Sequence, residues 1–148
     1  MSLLLSFVAV IISLGVPLFE YMYNKNINKI NLLSEYYKDI YNEFLVKKIP
    51  QARQFIHYNG VELSGTDSML EILRELRENS IYFKYNDNEF YKRLLSVVQK
   101  VEDKLVVQTG EMTNEEHANF YSSFETDLGH VYECISNRYM GKKIKKIK

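Results

Sequence analysis

Two rhythms of apolar and polar positions run along the chain. From Leu3 to Phe19 there is no charged side chain, and the apolar residues fall on every side of any helix drawn through them. Seventeen residues rise about 26 Å as an α-helix, close to the roughly 30 Å hydrocarbon layer of a bilayer. Tyr21 and Tyr23 follow where interfacial aromatic rings lie, and Pro17 falls near the far end, where a kink costs least. An apolar helix of this kind is hard to bury in a body of about 120 residues, because small domains have little interior. A cleaved export signal fits worse: no basic side chain precedes Leu3, and bulky residues follow Phe19 instead of a small-x-small site. The expectation is an uncleaved single transmembrane helix.

Beyond it the rhythm becomes helical. Ile30, Leu33, Tyr37, Ile40, Tyr41, Phe44 and Leu45 recur at spacings of three and four, up to about Ile49. Pro50 then starts a new turn or kinks the run. The stretch 58–67 (YNGVELSGTD) brings two turn glycines around a short Val61–Leu63 segment and reads as a loop. Ser68 with Glu71 fits a capping box, with Asp67 as a rival cap, opening a helix whose apolar face is Met69, Leu70, Ile72, Leu73 and Leu76. Residues 81–85 (IYFKY) suit a short strand or a packed connector. Asn86 or Asp87 caps a long helix carrying Phe90, Leu94, Val97, Val98, Val101, Leu105 and Val106. Gly110 ends it, and Thr113 with Glu116 forms a second capping box. Phe120, Phe124, Leu128, Val131, Tyr132, Ile135 and Tyr139 then hold helical spacing up to Gly141, which suits a left-handed terminating position.

These patterns predict an all-α protein: an N-terminal single transmembrane helix, then a small helical bundle of three long amphipathic helices and one short one. The expected organisation is an anchor at 1–23, a helical domain at 24–140 and a basic tail at 141–148. Lys25 and Lys29 lie just after the apolar run, so the positive-inside rule places the helical domain on the cytoplasmic face of the cell membrane.

Charge sharpens this picture in one place. Lysine plus arginine and aspartate plus glutamate balance at 19 each, yet Arg138–Lys148 carries six basic and no acidic residues. The remaining body is net acidic, which argues against nucleic acid as a partner, since that needs a broad basic footprint. Lys142, Lys143, Lys145, Lys146 and Lys148, interleaved with two isoleucines, suit anionic lipid headgroups, at about 1 kcal/mol per lysine near the surface.

Candidate chemistry is sparse. His130 and Cys134 share a helical face with Asp127 a turn earlier, but the spacing matches no zinc signature. Cys134 is the one cysteine, adjoins the apolar stripe and reads as a buried free thiol. Glu71, Glu75 and Glu78 interleave with Arg74 and Arg77 as ordinary surface pairs. Arg53 and His57 in RQFIH are spaced more closely than the arginine and histidine of helical ribonucleases. GVELSG lacks the lysine and hydroxyl of a phosphate loop. No catalytic residue, metal ligand or cofactor is predicted. Arg53, Arg74, Arg77, Lys84 and Arg93 are the loose candidates for contact with an anionic ligand.

The functional expectation is therefore a membrane-tethered, non-enzymatic module, with the lipid bilayer and a protein partner, or further copies of itself, as its contacts. Twelve tyrosines favour such a surface, because tyrosine buries area while keeping a hydroxyl to pair. The apolar run holds no clean small-xxx-small stripe to specify its assembly. The alternative is a membrane-disturbing effector whose helical domain senses a small anionic ligand or a partner protein.

Overall fold

Amphipathic stripes at helical spacing need one another's apolar faces, and the structure pairs them. The computed structural model describes the backbone of residues 2–108 and 111–142, and side chains over the same ranges except at 2–15, 26 and 29. Helix α1 covers Ser2–Ile40 and is followed by a π-helix at Tyr41–Lys48 and a short α2 at Ile49–Arg53. Strands β1 (His57–Tyr58) and β2 (Leu63–Ser64) form an antiparallel hairpin, with His57 opposite Ser64 and Tyr58 opposite Leu63. Helices α3 (Asp67–Asn79), α4 (Ile81–Asn86), α5 (Asn88–Val107) and α6 (Asn114–Tyr139) complete the chain. The predominantly helical architecture agrees with the all-α expectation.

The chain divides into two units, 1–36 and 37–148. In the first, most of the described apolar side chains are exposed, among them Val16, Leu18, Phe19 and Met22, and the rings of Phe19 and Tyr23 stack at 6.3 Å. Ile30, which the spacing placed on the core stripe, is exposed, and Leu33 is partly so. Among the described residues, no helix is long and apolar enough to cross a membrane. The side chains of residues 2–15, which make up most of the expected anchor, lie outside the described ones.

The second unit holds the core. Helix α5 packs along α6 and against α3 and α4, while the π-helix and α2 pack on α3 and α6. Phe44, Phe83, Phe90 and Phe124 are its largest fully buried side chains, joined by Ile49, Leu73, Leu94 and Ile135. The stripes assigned to α3, α5 and α6 supply this interior as expected, except that Val106 is exposed and Tyr139 lies at the surface.

Three local expectations are corrected. Residues 81–85 are neither strand nor connector but lie in α4. A strand there would bury Ile81, Phe83 and Tyr85 together, whereas Phe83 alone is buried, stacked on Tyr37 at 4.7 Å and edge-on to Phe90 at 4.9 Å. The Ser68–Glu71 capping box does not form. Thr66 holds the N-cap with no side-chain bond, and Asp67 is already in the first turn. Gly65, at φ +75°, lies close against the Phe55 backbone, and the helix starts two residues earlier than a Ser68 cap would place it. The 58–67 loop contains a hairpin: the Asn59 carboxamide oxygen accepts from the Val61 and Glu62 amides at 2.9 and 2.8 Å, and Gly60 takes φ +94°. Pro50 stands in the first turn of α2, so it starts a new turn, as one of the two readings of the run had it, and a π-helix precedes it.

That π-helix has a local cause. In an α register the ring of Pro50 collides with the carbonyl four residues earlier and offers it no N–H. The wider turn appears at this point, with the Ile49 amide bonding to the Phe44 carbonyl. The π register would pair the Leu45 carbonyl with the amide of residue 50, which proline lacks. Tyr132 on α6 supplies the missing donor, its hydroxyl 3.0 Å from that carbonyl.

The other helix ends follow the sequence more closely. Asp87 caps α5 by accepting from the Phe90 amide, and Thr113 with Glu116 forms the full capping box of α6. Gly141 takes φ +70° after the last turn of α6. Helix α5 ends at Val107 with Gln108 as its C-cap, and Gly110, the residue expected to end it, lies outside the described residues.

Candidate functional site

Two polar–aromatic clusters in the second unit bring together residues far apart in sequence. The first joins the end of α1, the start of α5 and the end of α6. The Asp87 carboxylate, only 8% exposed, accepts from the Tyr37 hydroxyl and from Arg138, whose Nε and terminal nitrogen each lie 2.5 Å from one oxygen. Arg138 Nε also reaches the Tyr37 hydroxyl at 3.2 Å. Tyr37 sits on Phe83 and edge-on to Phe90, at 5.2 Å from the latter. Burial pushes its phenol well above the ordinary range, and the Asp87 carboxylate adds to the push. The phenol therefore stays protonated and donates. Asp87 holds one carboxylate against a hydroxyl, a guanidinium and a backbone amide, an arrangement that clamps three chain segments.

The second cluster joins α2, β1 and α6. Arg53 pairs with Glu125 through Nε at 2.8 Å and a terminal nitrogen at 2.7 Å. Its guanidinium lies 4.4 Å from the centre of the Tyr121 ring. His117, one turn before Tyr121, stacks on Tyr58 at 4.0 Å. The Tyr58 hydroxyl donates to the Met112 carbonyl at 2.7 Å, and the Met112 amide donates to the Val61 carbonyl at 2.7 Å. Hairpin and α6 are thus stitched together through both backbone groups of Met112.

The five candidate anion contacts are dispersed between these and other places. Arg53 belongs to the second cluster and Arg77 pairs with Glu102 at 2.8 Å. Lys84 lies over the Tyr85 ring at 5.7 Å, and Arg93 is partly buried near Cys134. Arg74 and Arg77 do meet, lining a shallow groove of about 380 Å³ with Glu78, Ile81, Tyr91 and Leu95. His57, exposed on β1, is in a different element from Arg53. Lys142 is exposed, and Lys143, Lys145, Lys146 and Lys148 lie outside the described residues.

His130 faces Asp127 at 3.8 Å, and the same carboxylate pairs with Lys104. Among the described residues, no group of three or more histidine, cysteine, aspartate or glutamate side chains could hold a metal ion. Cys134 is buried, and that burial pushes its thiol up to about 12.

No protein-family model, curated protein or solved structure matches the chain. The clusters themselves therefore carry the functional reading. Sequence reasoning found Asp87 as a cap and Tyr37 as a stripe residue but missed their union with Arg138, because the partners are 50 and 51 residues apart. The aromatic ladder on Arg53 was missed for the same reason, although the i, i+4 spacing of His117, Tyr121 and Glu125 marks one helical face.

Proposed function

We propose that this chain is a membrane-tethered, non-enzymatic helical module, anchored through residues 3–19 with its body on the cytoplasmic face. The body would present surface tyrosines and apolar side chains to a protein partner or to copies of itself. The observation that carries this reading is the uncharged run Leu3–Phe19 inside α1, the same helix whose last residues, Tyr37 and Ile40, are buried in the core of the second unit. An apolar run covalently continuous with a buried element serves as a tether. The body's charges support the non-enzymatic part: Arg53–Glu125, Arg77–Glu102, Lys104–Asp127 and Arg138–Asp87 each join two helices. Exposed Phe55, Tyr85 and Val107 supply apolar contact area for a partner.

An alkaline carbonate wash of membranes from cells making the full chain, with intact-mass measurement, tests the tether. The expected result is retention in the pellet at full mass. Release into the supernatant, or a mass lacking the first residues, overturns it.

The groove at Arg74 and Arg77 favours one second reading, a membrane-disturbing effector that senses a small anion. Arg74 is exposed there and has no ion-pair partner among the described residues. Expression that depolarises cells, together with a rise in melting temperature on adding inorganic phosphate that Arg74→Ala removes, would support it. Inert expression with no phosphate response excludes it.

A further inference from the structure

Helices α3, α4 and α5 line a groove that the core does not fill. Arg74, Arg77 and Glu78 come from α3, Ile81 from the first turn of α4, and Tyr91 and Leu95 from α5, around about 380 Å³. The turn at Ser80 shapes it. The buried Ser80 hydroxyl donates to the Arg77 carbonyl at 2.8 Å, and α4 starts at the next residue. Phe83 then enters the core, while Ile81 stays 50% exposed in the groove. Tyr91 and Leu95, one turn apart on α5, are partly buried and continue the apolar floor. At the rim, Arg74 is exposed and has no ion-pair partner among the described residues. Arg77 meets Glu102 at 2.8 Å through one terminal nitrogen, and its guanidinium has further N–H donors.

We infer that this groove is the docking site of the module's protein partner, and that it takes a short segment in which a carboxylate stands beside an apolar side chain. The acid meets Arg74 and Arg77, and the apolar group lies on Ile81, Tyr91 and Leu95. The inference rests on the protein-interaction part of the function proposed above, and names its surface and the partner's chemistry. Charge complementarity selects the occupant. The body around the groove is net acidic, so an acidic segment is repelled over most of it and drawn to an arginine rim. Arginine and tyrosine beside an apolar floor are also the residue types that carry most binding energy at interfaces. A free inorganic anion would use the rim alone and leave that floor idle. It would also find only Arg74 without a carboxylate already on it. Glu78, one turn or about 6 Å along α3 from Arg74, makes the rim two-signed. It repels a uniformly charged polyanion and sets the direction of a segment whose acid must lie at the Arg74 end. The volume suits a few side chains of one segment.

The test pans the full chain, held in mild detergent, against a phage-displayed library of random short peptides. The expected result is enrichment of peptides that pair Asp or Glu with a large apolar residue. Their affinity should fall about tenfold or more in Arg74→Glu and in Ile81→Ser, and stay near the parent's in Arg74→Lys. Panning Arg74→Glu itself should enrich Lys or Arg where the parent selects an acid. Both altered side chains are exposed, so the variants should melt close to the parent, and the switch in selected charge is a readout that partial unfolding does not produce. Enriched peptides that bind all the variants equally overturn the groove and leave the interaction module standing. No enriched peptide overturns the groove and the interaction module together, while the carbonate wash reads the tether independently. A rise in melting temperature with inorganic phosphate that Arg74→Ala removes, without peptide enrichment, overturns the docking site in favour of a small anion.

Discussion

Gly65 holds φ at +75°, and a Cβ placed on it would lie 1.8 Å from the Phe55 carbonyl oxygen. Backbone cannot yield as a side-chain tip can, so Gly65→Ala should cost at least about 2–3 kcal/mol in chemical denaturation. Gly60, also in the left-handed region but facing open space, should cost only about 1–2 kcal/mol on the same substitution. A measured order reversed between the two would contradict the close approach of the hairpin to Phe55. Cys134 gives a pH prediction. Its thiol pKa is raised by burial to about 12 in the folded chain against an ordinary 9.0, so the native state retains the proton longer than the unfolded one. This thiol's contribution to stability is therefore fully present below pH 9, falls as pH rises and is lost through pH 12. At pH 8 a disulfide reagent should react with it only as fast as the protein opens, and immediately in denaturant; rapid reaction in the native state would refute its burial.

Among the elements, the π-helix is the one whose cause lies in a single residue. Pro50 removes the amide that would pair with the Leu45 carbonyl, and Tyr132 replaces it from α6. Tyr132→Phe should therefore cost about 1–2 kcal/mol, the penalty for leaving a buried acceptor unpaired. Pro50→Ala returns an amide to this position, so the cost of Tyr132→Phe should shrink in that background. A double-mutant cycle measures it, and strict additivity would show the two to be unconnected. At the start of α6, the bonds from the Thr113 amide and hydroxyl hold the Glu116 carboxyl below its ordinary range. Thr113→Ala should cost about 1 kcal/mol. The Glu116 contribution is present above pH 4.5 and disappears as pH falls through its lowered value. A titration of the variant that kept the parent's acid slope would deny the box a role.

For the whole molecule, the Tyr37–Asp87–Arg138 clamp ties the first and last helical segments of the second unit to its centre. Asp87→Asn can still accept from the Phe90 amide but loses the charge opposite Arg138, leaving a partly buried guanidinium without its carboxylate. A loss of about 2–3 kcal/mol is expected. Arg138→Ala in the same background should then cost little further, which equilibrium unfolding of the double variant reads directly. Much of the core was legible beforehand. Phe90, Leu94 and Val98 on α5, and Phe124, Leu128 and Ile135 on α6, keep the spacing that a helix requires of a buried face. Local pairs such as Thr113–Glu116 were legible too, because both partners sit within one turn. IYFKY was not, since five residues rich in aromatic rings satisfy a strand and a helix equally until Tyr37 and Phe90 select Phe83 alone.

Periodicity, capping spacing and the uncharged opening run are properties of neighbours in sequence. They determined by themselves the mostly helical class, the faces turned inward and the places where α5 and α6 begin. The union of Asp87 with Tyr37 and Arg138, the rescue of the Leu45 carbonyl by Tyr132 and the stacking of Tyr139 on Tyr41 were decided only by the tertiary structure. Each joins residues 50 or more positions apart. Nothing in a linear pattern of apolar and polar residues records which helix will pack against which, so polar partners that meet only after packing leave no trace in it.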